Sequence, residues 1–231
     1  MPDTDTAALS TSEWAEVSAQ RAVVYGWFST LYANEIPKPV LASYLAGQDT
    51  PFQAFSALGL GTEVRRLQAS IEALREMEHA HLELAADFAQ MFLLDAKAGA
   101  LPYASVYGAD EARLYGPAEA RMQSFLADAS LAIQDEFREP ADHLAVYLAV
   151  MARLAREQAQ AGDIAAAARD QHSFLQDALL TWLPQFDAAN QKASPRYDFY
   201  PALAALLIAV VRIDAQFIGD IAASCMPVDA S

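Results

Sequence analysis

Apolar positions recur at three- and four-residue steps along almost the whole chain, the period of amphipathic helices. Trp14, Val17, Arg21, Val24, Tyr25, Phe28, Leu31 and Tyr32 form the first series, with Arg21 at the edge of its stripe. Ser10 and Glu13 have capping-box spacing and set its start, and residues 1–10, small and polar, read as a disordered N-terminus. Pro37 and Pro39 close the connection that follows. A short helix from Pro39 to Ala46 stops at Gly47, and Thr50-Pro51 supplies the N-cap and first-turn residue types for another that stops at Gly59. Thr62 caps a segment carrying Val64, Leu67, Ile71 and Leu74. A helix from Glu78 to Leu94 then places Leu84, Phe88, Met91 and Phe92 on one stripe.

After Asp95 the period breaks. Lys97 to Gly108 reads as an ordered loop, yet it carries Leu101, Pro102, Tyr103, Val106 and Tyr107, so it must pack on something or bind something. Gly116-Pro117 opens a helix to Ser130, with Met122, Phe125, Leu126 and Ala129 on its stripe. Pro140 suits the first turn of the next helix and Asp142 its third position, where a carboxylate meets the positive helix end. Leu144, Tyr147, Leu148, Met151 and Leu154 carry that helix to Gly162. Asp163 starts another, which Pro184 kinks or ends after Trp182-Leu183. Pro195 and Pro201 bracket the start of a last helix ending near Gly219. The pattern predicts an all-α fold of about nine to ten helices, with no repeat and no low-complexity linker. It divides into an N-terminal helical part (11–130), a candidate hinge (131–138) and a C-terminal helical part (139–231), and exchange of helices at the hinge would give a domain-swapped homodimer in place of a monomer.

Composition changes the picture in two ways. Asp and Glu number 30 against 15 Lys and Arg, a net charge of −15, which disfavours nucleic acid and anionic lipid and favours cationic or apolar partners. A single Cys, Cys225, allows no internal disulfide and reads as a bystander thiol, so a reducing, cytoplasmic location is expected. The N-terminus has no basic and apolar leader, and the apolar stretch from Ala202 to Val211 falls short of the roughly 20 residues that span a bilayer, so no membrane insertion is expected.

Catalytic chemistry finds little support. Glu76-x-x-His79 and Glu78-x-x-His81 have the spacing of a di-iron helix, but the positions three before His143 and His172 are Pro140 and Arg169, so the second half-site is missing. A metal-binding helical-bundle enzyme is therefore the weaker alternative. No nucleophile elbow, phosphate loop or dinucleotide fingerprint occurs. Glu83 and Asp87, four apart, place two carboxylates beside the Phe88/Met91/Phe92 stripe. They either meet water and arginines of the same chain or receive a cation from outside. Asp142-His143 has two readings as well: a helix cap with a packed imidazole, or a carboxylate that receives a guanidinium.

The segments His81-Leu82-Glu83-Leu84-Ala85-Ala86-Asp87-Phe88, Met91-Phe92-Leu93 and Ala100-Leu101-Pro102-Tyr103-Ala104-Ser105-Val106-Tyr107 closely resemble the central motif of the TorD family of molybdoenzyme maturation chaperones. Glu139-Pro140-Ala141-Asp142-His143 resembles that family's second hallmark, E-P-x-D-H. Trp182-Leu183-Pro184 and Phe199-Tyr200 resemble its C-terminal part, so the likeness covers about residues 15 to 220. It is strongest toward the chaperones of trimethylamine-N-oxide reductase. The resemblance implies a TorD-like helical fold without catalytic activity. It implies a cytoplasmic chaperone that binds an apo-molybdoenzyme and its twin-arginine signal peptide, assists insertion of the molybdenum cofactor and delays export. Dimethyl-sulfoxide or nitrate reductase are the alternative clients. The resemblance nominates Phe88, Met91, Phe92, Pro102, Tyr103, Ser105, Tyr107, Asp142 and His143 as client-binding residues; Glu139 and Pro140 belong to the second motif, and Glu83 and Asp87 are candidates as the carboxylate pair that could receive a client cation. It also implies weak GTP binding, for which the chain shows no phosphate loop.

For the aromatic residues, core packing is the competing expectation. It weighs most for Phe88 and Phe92 on the helix and least for Pro102, Tyr103 and Tyr107 on the loop.

Overall fold

Ser10 and Glu13 make the reciprocal bonds of a capping box: Ser10 Oγ accepts from the Glu13 N–H (3.3 Å) and Glu13 Oε2 accepts from the Ser10 N–H (2.9 Å). They open α1 (Thr11–Ala33) in a computed structural model that describes residues 9–48, 50–94, 99–108, 114–133 and 137–224. Nine further α-helices follow among the described residues: α2 (Lys38–Leu45), α3 (Phe52–Ala57), α4 (Gly61–Glu72), α5 (Ala80–Ala89), α6 (Pro117–Asp128), α7 (Leu144–Glu157), α8 (Ile164–Ser173), α9 (Leu183–Lys192) and α10 (Phe199–Ser224). No strand occurs among the described residues; a lone antiparallel bridge joins Tyr103 to His143. The fold is all-α, as the periodicity predicts. The segment expected as a hinge is described only in part, because 134–136 lie outside the described residues, as do 1–8 and Cys225.

Two long helices organise the core. α1 lies along α7, where the Ser29 hydroxyl donates to the Ala145 carbonyl (2.8 Å), while Phe28 stacks on Phe55 of α3 and Tyr32 packs edge-on against Phe92 and Phe186. α10 is packed by α4, α8 and α9. It is long and apolar enough to cross a membrane, but its Leu203, Leu206, Leu207 and Val211 are fully buried within the protein, so the core accounts for its apolarity. A smaller cluster of Trp14, Ala167, Ala168, Ile218 and Ala222 closes one end of the α1–α8–α10 stack.

Several local expectations change for identifiable reasons. Arg21 is not at the edge of α1 but buried, forming a two-pronged pair with Asp214 of α10 (2.6 and 3.0 Å) and donating to Gln171 of α8 (2.6 Å). Thr62 does not cap α4, which begins at Gly61 with Leu60 in the cap position, and Pro51 occupies the cap rather than the first turn of α3. α10 runs past Gly219 to Ser224. Gly219 is no stop but a close approach: a Cβ there would lie 2.9 Å from Nε2 of His172 on α8. Pro184 ends nothing; it sits in the first turn of α9, after a π-helical turn (Phe174–Leu179) that interrupts the path from α8.

Candidate functional site

The Glu139-to-His143 segment is a turn, not the first turn of a helix. The His143 N–H donates to the Pro140 carbonyl (3.0 Å), which delays α7 until Leu144 and puts His143 in the cap position. His143 Nδ1 accepts from the Ala145 N–H (3.1 Å). The expected parts are thus exchanged: the imidazole caps α7, and Asp142 faces the aromatic loop. Asp142 Oδ2 accepts from the Ser105 N–H (2.8 Å) and its carbonyl from the Ala104 N–H (3.0 Å), while the Pro102 carbonyl accepts from the Leu144 N–H (2.7 Å).

The two hallmark segments are therefore zipped together backbone to backbone. Tyr103 adds a hydroxyl donated to Glu139 (2.6 Å) and lays its ring edge-on to His143 at 4.9 Å. Burial lowers the His143 pKa to about 4, and burial with the Glu139 carboxylate raises that of Tyr103. Asp142 is fully buried, so a guanidinium from outside does not reach it in this arrangement.

The loop is anchored at its other end as well. The Ala100 N–H donates to the Met91 carbonyl (2.7 Å), at the π-helical turn Gln90–Leu94 that extends α5. Met91 and Phe92 are buried there with Phe88, in an aromatic cluster with Tyr200 and Phe186. The paired carboxylates of α5 are engaged within the chain. Asp87 accepts from the backbone N–H groups of Arg196 (2.9 Å) and Tyr197 (2.8 Å), and Glu83 forms an ion pair with the Arg196 side chain. They hold the approach to α10. Asp87→Ala leaves both N–H groups without their acceptor, and the unfolding free energy in urea is expected to fall by about 2 kcal/mol. Asp87→Asn, which keeps one acceptor, loses less.

In front of the zipped loop opens a cleft of about 660 Å³. The loop, turned into a 3₁₀ helix over Ala104–Tyr107, supplies Ser105 and Tyr107 as one wall. Ser105 Oγ also accepts from the Gly116 N–H (3.1 Å), which sets the start of α6, and α6 contributes Arg121, Met122 and Phe125. Tyr147 of α7 and Phe174, Thr181, Trp182 and Gln185 complete it. The Tyr107 and Trp182 rings stack (5.9 Å, 14°), Tyr147 meets Trp182 edge-on at 5.5 Å, and Phe125 lies 5.2 Å from Phe174.

Of the residues nominated from sequence, Ser105 and Tyr107 line this cleft. Pro102, Tyr103, Asp142 and His143 stand behind its wall, bonded to it through Asp142 and Leu144, and Glu139 and Pro140 line a separate opening with Leu126 and Phe137. Phe92 buttresses Tyr107 through Phe186, which touches both rings, and Glu83, Asp87, Phe88 and Met91 lie outside the lining. Sequence reasoning read Met122, Phe125 and Tyr147 as helix stripe only and passed over Arg121 and Phe174. Trp182 had a signal, the Trp182-Leu183-Pro184 motif. Among the described residues no three His, Cys, Asp or Glu side chains are grouped so as to hold a metal ion, and Glu78 and His79 sit exposed.

A family profile described as "Nitrate reductase delta subunit" matches residues 57–188, more than half of the chain. A "Chaperone protein TorD" from Psychrobacter sp. is 40% identical over 92% of this chain and 98% of its own length. The chain belongs to the TorD family of chaperones. Proteins of the same name from Photobacterium profundum (36% identical, 89% of this chain and 97% of their own length) and Pasteurella multocida (37%, 85% and 96%) agree. Like them, this TorD-family chain is a chaperone and not an enzyme. Every described residue lining the cleft, from Ala104 to Gln185, falls within the matched span.

Proposed function

We propose that this TorD-family chaperone acts in the cytoplasm on an apo-molybdoenzyme and holds the client's twin-arginine signal peptide in the Tyr107–Trp182 cleft. By occupying that peptide it delays export until the molybdenum cofactor is inserted. The observation that carries the reading is the cleft itself, an aromatic-walled opening lined by the first hallmark segment of the family and braced from behind by the second. A signal peptide combines a basic stretch with an apolar one. Exposed ion pairs contribute about 0–1 kcal/mol each, whereas burying a Leu or Phe side chain contributes about 1.5–3 kcal/mol before the costs of association. The apolar stretch therefore supplies the affinity, and the chain's net charge of −15 steers the arginines. Trimethylamine-N-oxide reductase is the client that the likeness favours.

Calorimetry with the twin-arginine signal peptide of that enzyme tests this. Tyr107→Ala or Phe125→Ala, both at partly exposed positions, is expected to weaken binding about tenfold. Changing both peptide arginines to lysine is expected to weaken it only a few-fold. No binding to the intact protein, or equal binding by the cleft variants, would overturn the reading. Co-purification from cells identifies the client among trimethylamine-N-oxide, dimethyl-sulfoxide and nitrate reductases.

A further inference from the structure

The cleft has a charge opposite to that of the chain that contains it. Fifteen more acidic than basic residues give the protein its net −15, yet among the described residues the lining includes no carboxylate, and its one charged side chain is Arg121. Arg121 stands in the second turn of α6, next to Met122 and four residues before Phe125, and lines the cleft together with both. Among the described residues it has no hydrogen-bond or ion-pair partner, whereas the buried guanidinium of Arg21 and the exposed ones of Arg66 and Arg75 each hold a carboxylate. It is close enough to Tyr147 to act on that hydroxyl electrostatically. A guanidinium with free donors beside aromatic rings attracts carboxylates and carbonyl oxygens and repels other cations.

We infer that Arg121 is the specificity-determining residue of the cleft: it admits an apolar peptide segment that is neutral or carries a carboxylate, and it rejects one that carries a cation. This rests on the peptide-binding reading and deepens it by giving the bound peptide a polarity. The apolar stretch enters, its carbonyl groups or an acidic side chain meet Arg121, and the twin arginines remain outside the cleft, where the acidic remainder of the surface receives them. The cleft thereby distinguishes the two parts of one leader by charge as well as by apolarity.

The test uses three peptides: the twin-arginine signal peptide itself, and two versions with a single Glu or a single Lys in the middle of its apolar stretch. Both insertions carry a desolvation cost, and the ratio of their affinities removes the shared part. The intact protein is expected to bind the Glu peptide about tenfold more tightly than the Lys peptide. Arg121→Glu is expected to invert that order and Arg121→Ala to bring the two within about twofold. Arg121 is exposed and unpaired, so thermal melts of both variants are expected to match the parent. An unchanged order in Arg121→Glu, or an equal loss for all three peptides, overturns the inference while leaving the peptide-binding reading intact. Failure of the intact protein to bind the unmodified signal peptide overturns both.

Discussion

Replacing Arg21 by Met is expected to lower the unfolding free energy by about 3–5 kcal/mol, the loss typical of breaking a buried ion pair from one side. The geometry gives the reason. Arg21 Nε and Nη2 meet the two Asp214 oxygens at 2.6 and 3.0 Å, Nη1 donates to Gln171 at 2.6 Å, and the Tyr25 hydroxyl donates to Asp214 at 2.7 Å. Both partners of the pair are about nine-tenths buried, with side-chain exposures of 9% and 10%. Without the guanidinium, Asp214 keeps one donor from Tyr25 and remains a buried charge with no counter-ion. The double replacement Arg21→Met with Asp214→Leu removes both charges and is expected to recover most of the loss. Urea denaturation at neutral pH measures each variant. A single variant within about 1 kcal/mol of the parent would show that the pair contributes little.

Acid is expected to unfold the protein partly through His143. Burial holds its folded-state pKa at about 4, below the ordinary value of 6.5, so the unfolded chain takes up a proton at a pH where the folded chain does not. The contribution is fully present above pH 6.5 and fades as the pH falls toward and through about 4, where its loss approaches about 3 kcal/mol. The sign agrees with the contact: Nδ1 must stay unprotonated to accept from the Ala145 N–H. His143→Asn offers a cap oxygen that does not titrate in this range, so its stability is expected to fall less steeply between pH 6.5 and 4. Because His143 and Asp142 also anchor the loop wall, peptide binding is expected to decline over the same interval. Parallel pH profiles for parent and variant would rule out this role.

What the sequence made legible was local. The Ser10–Glu13 box, the Asp163 cap and the stripes of α4 and α5 follow from residues within one or two turns of each other, and they stand as read. Arg21 could not be read in the same way, because its partner lies 193 residues along the chain. Asp142 misled for a subtler reason: Asp is a preferred residue near helix starts and His is not, yet the bond from the His143 N–H to the Pro140 carbonyl shifted the helix forward and left the imidazole at the cap. The cleft was half visible. The aromatic loop announced Ser105 and Tyr107, but the opposing wall depends on the π-helical turn at Phe174–Leu179, whose extra residue per turn leaves no mark on a three-and-four periodicity.

The tie between Arg21 and Asp214 also bears on synthesis. α1 leaves the ribosome well before its main neighbour, which begins at Leu144, and before its charged anchor in α10. Phe28 finds Phe55 and Tyr32 finds Phe92 early, but Tyr25 and Arg21 wait for Asp214, so native order is complete only once α10 has been made. So late a closure favours slow folding and leaves the nascent form exposed to self-association.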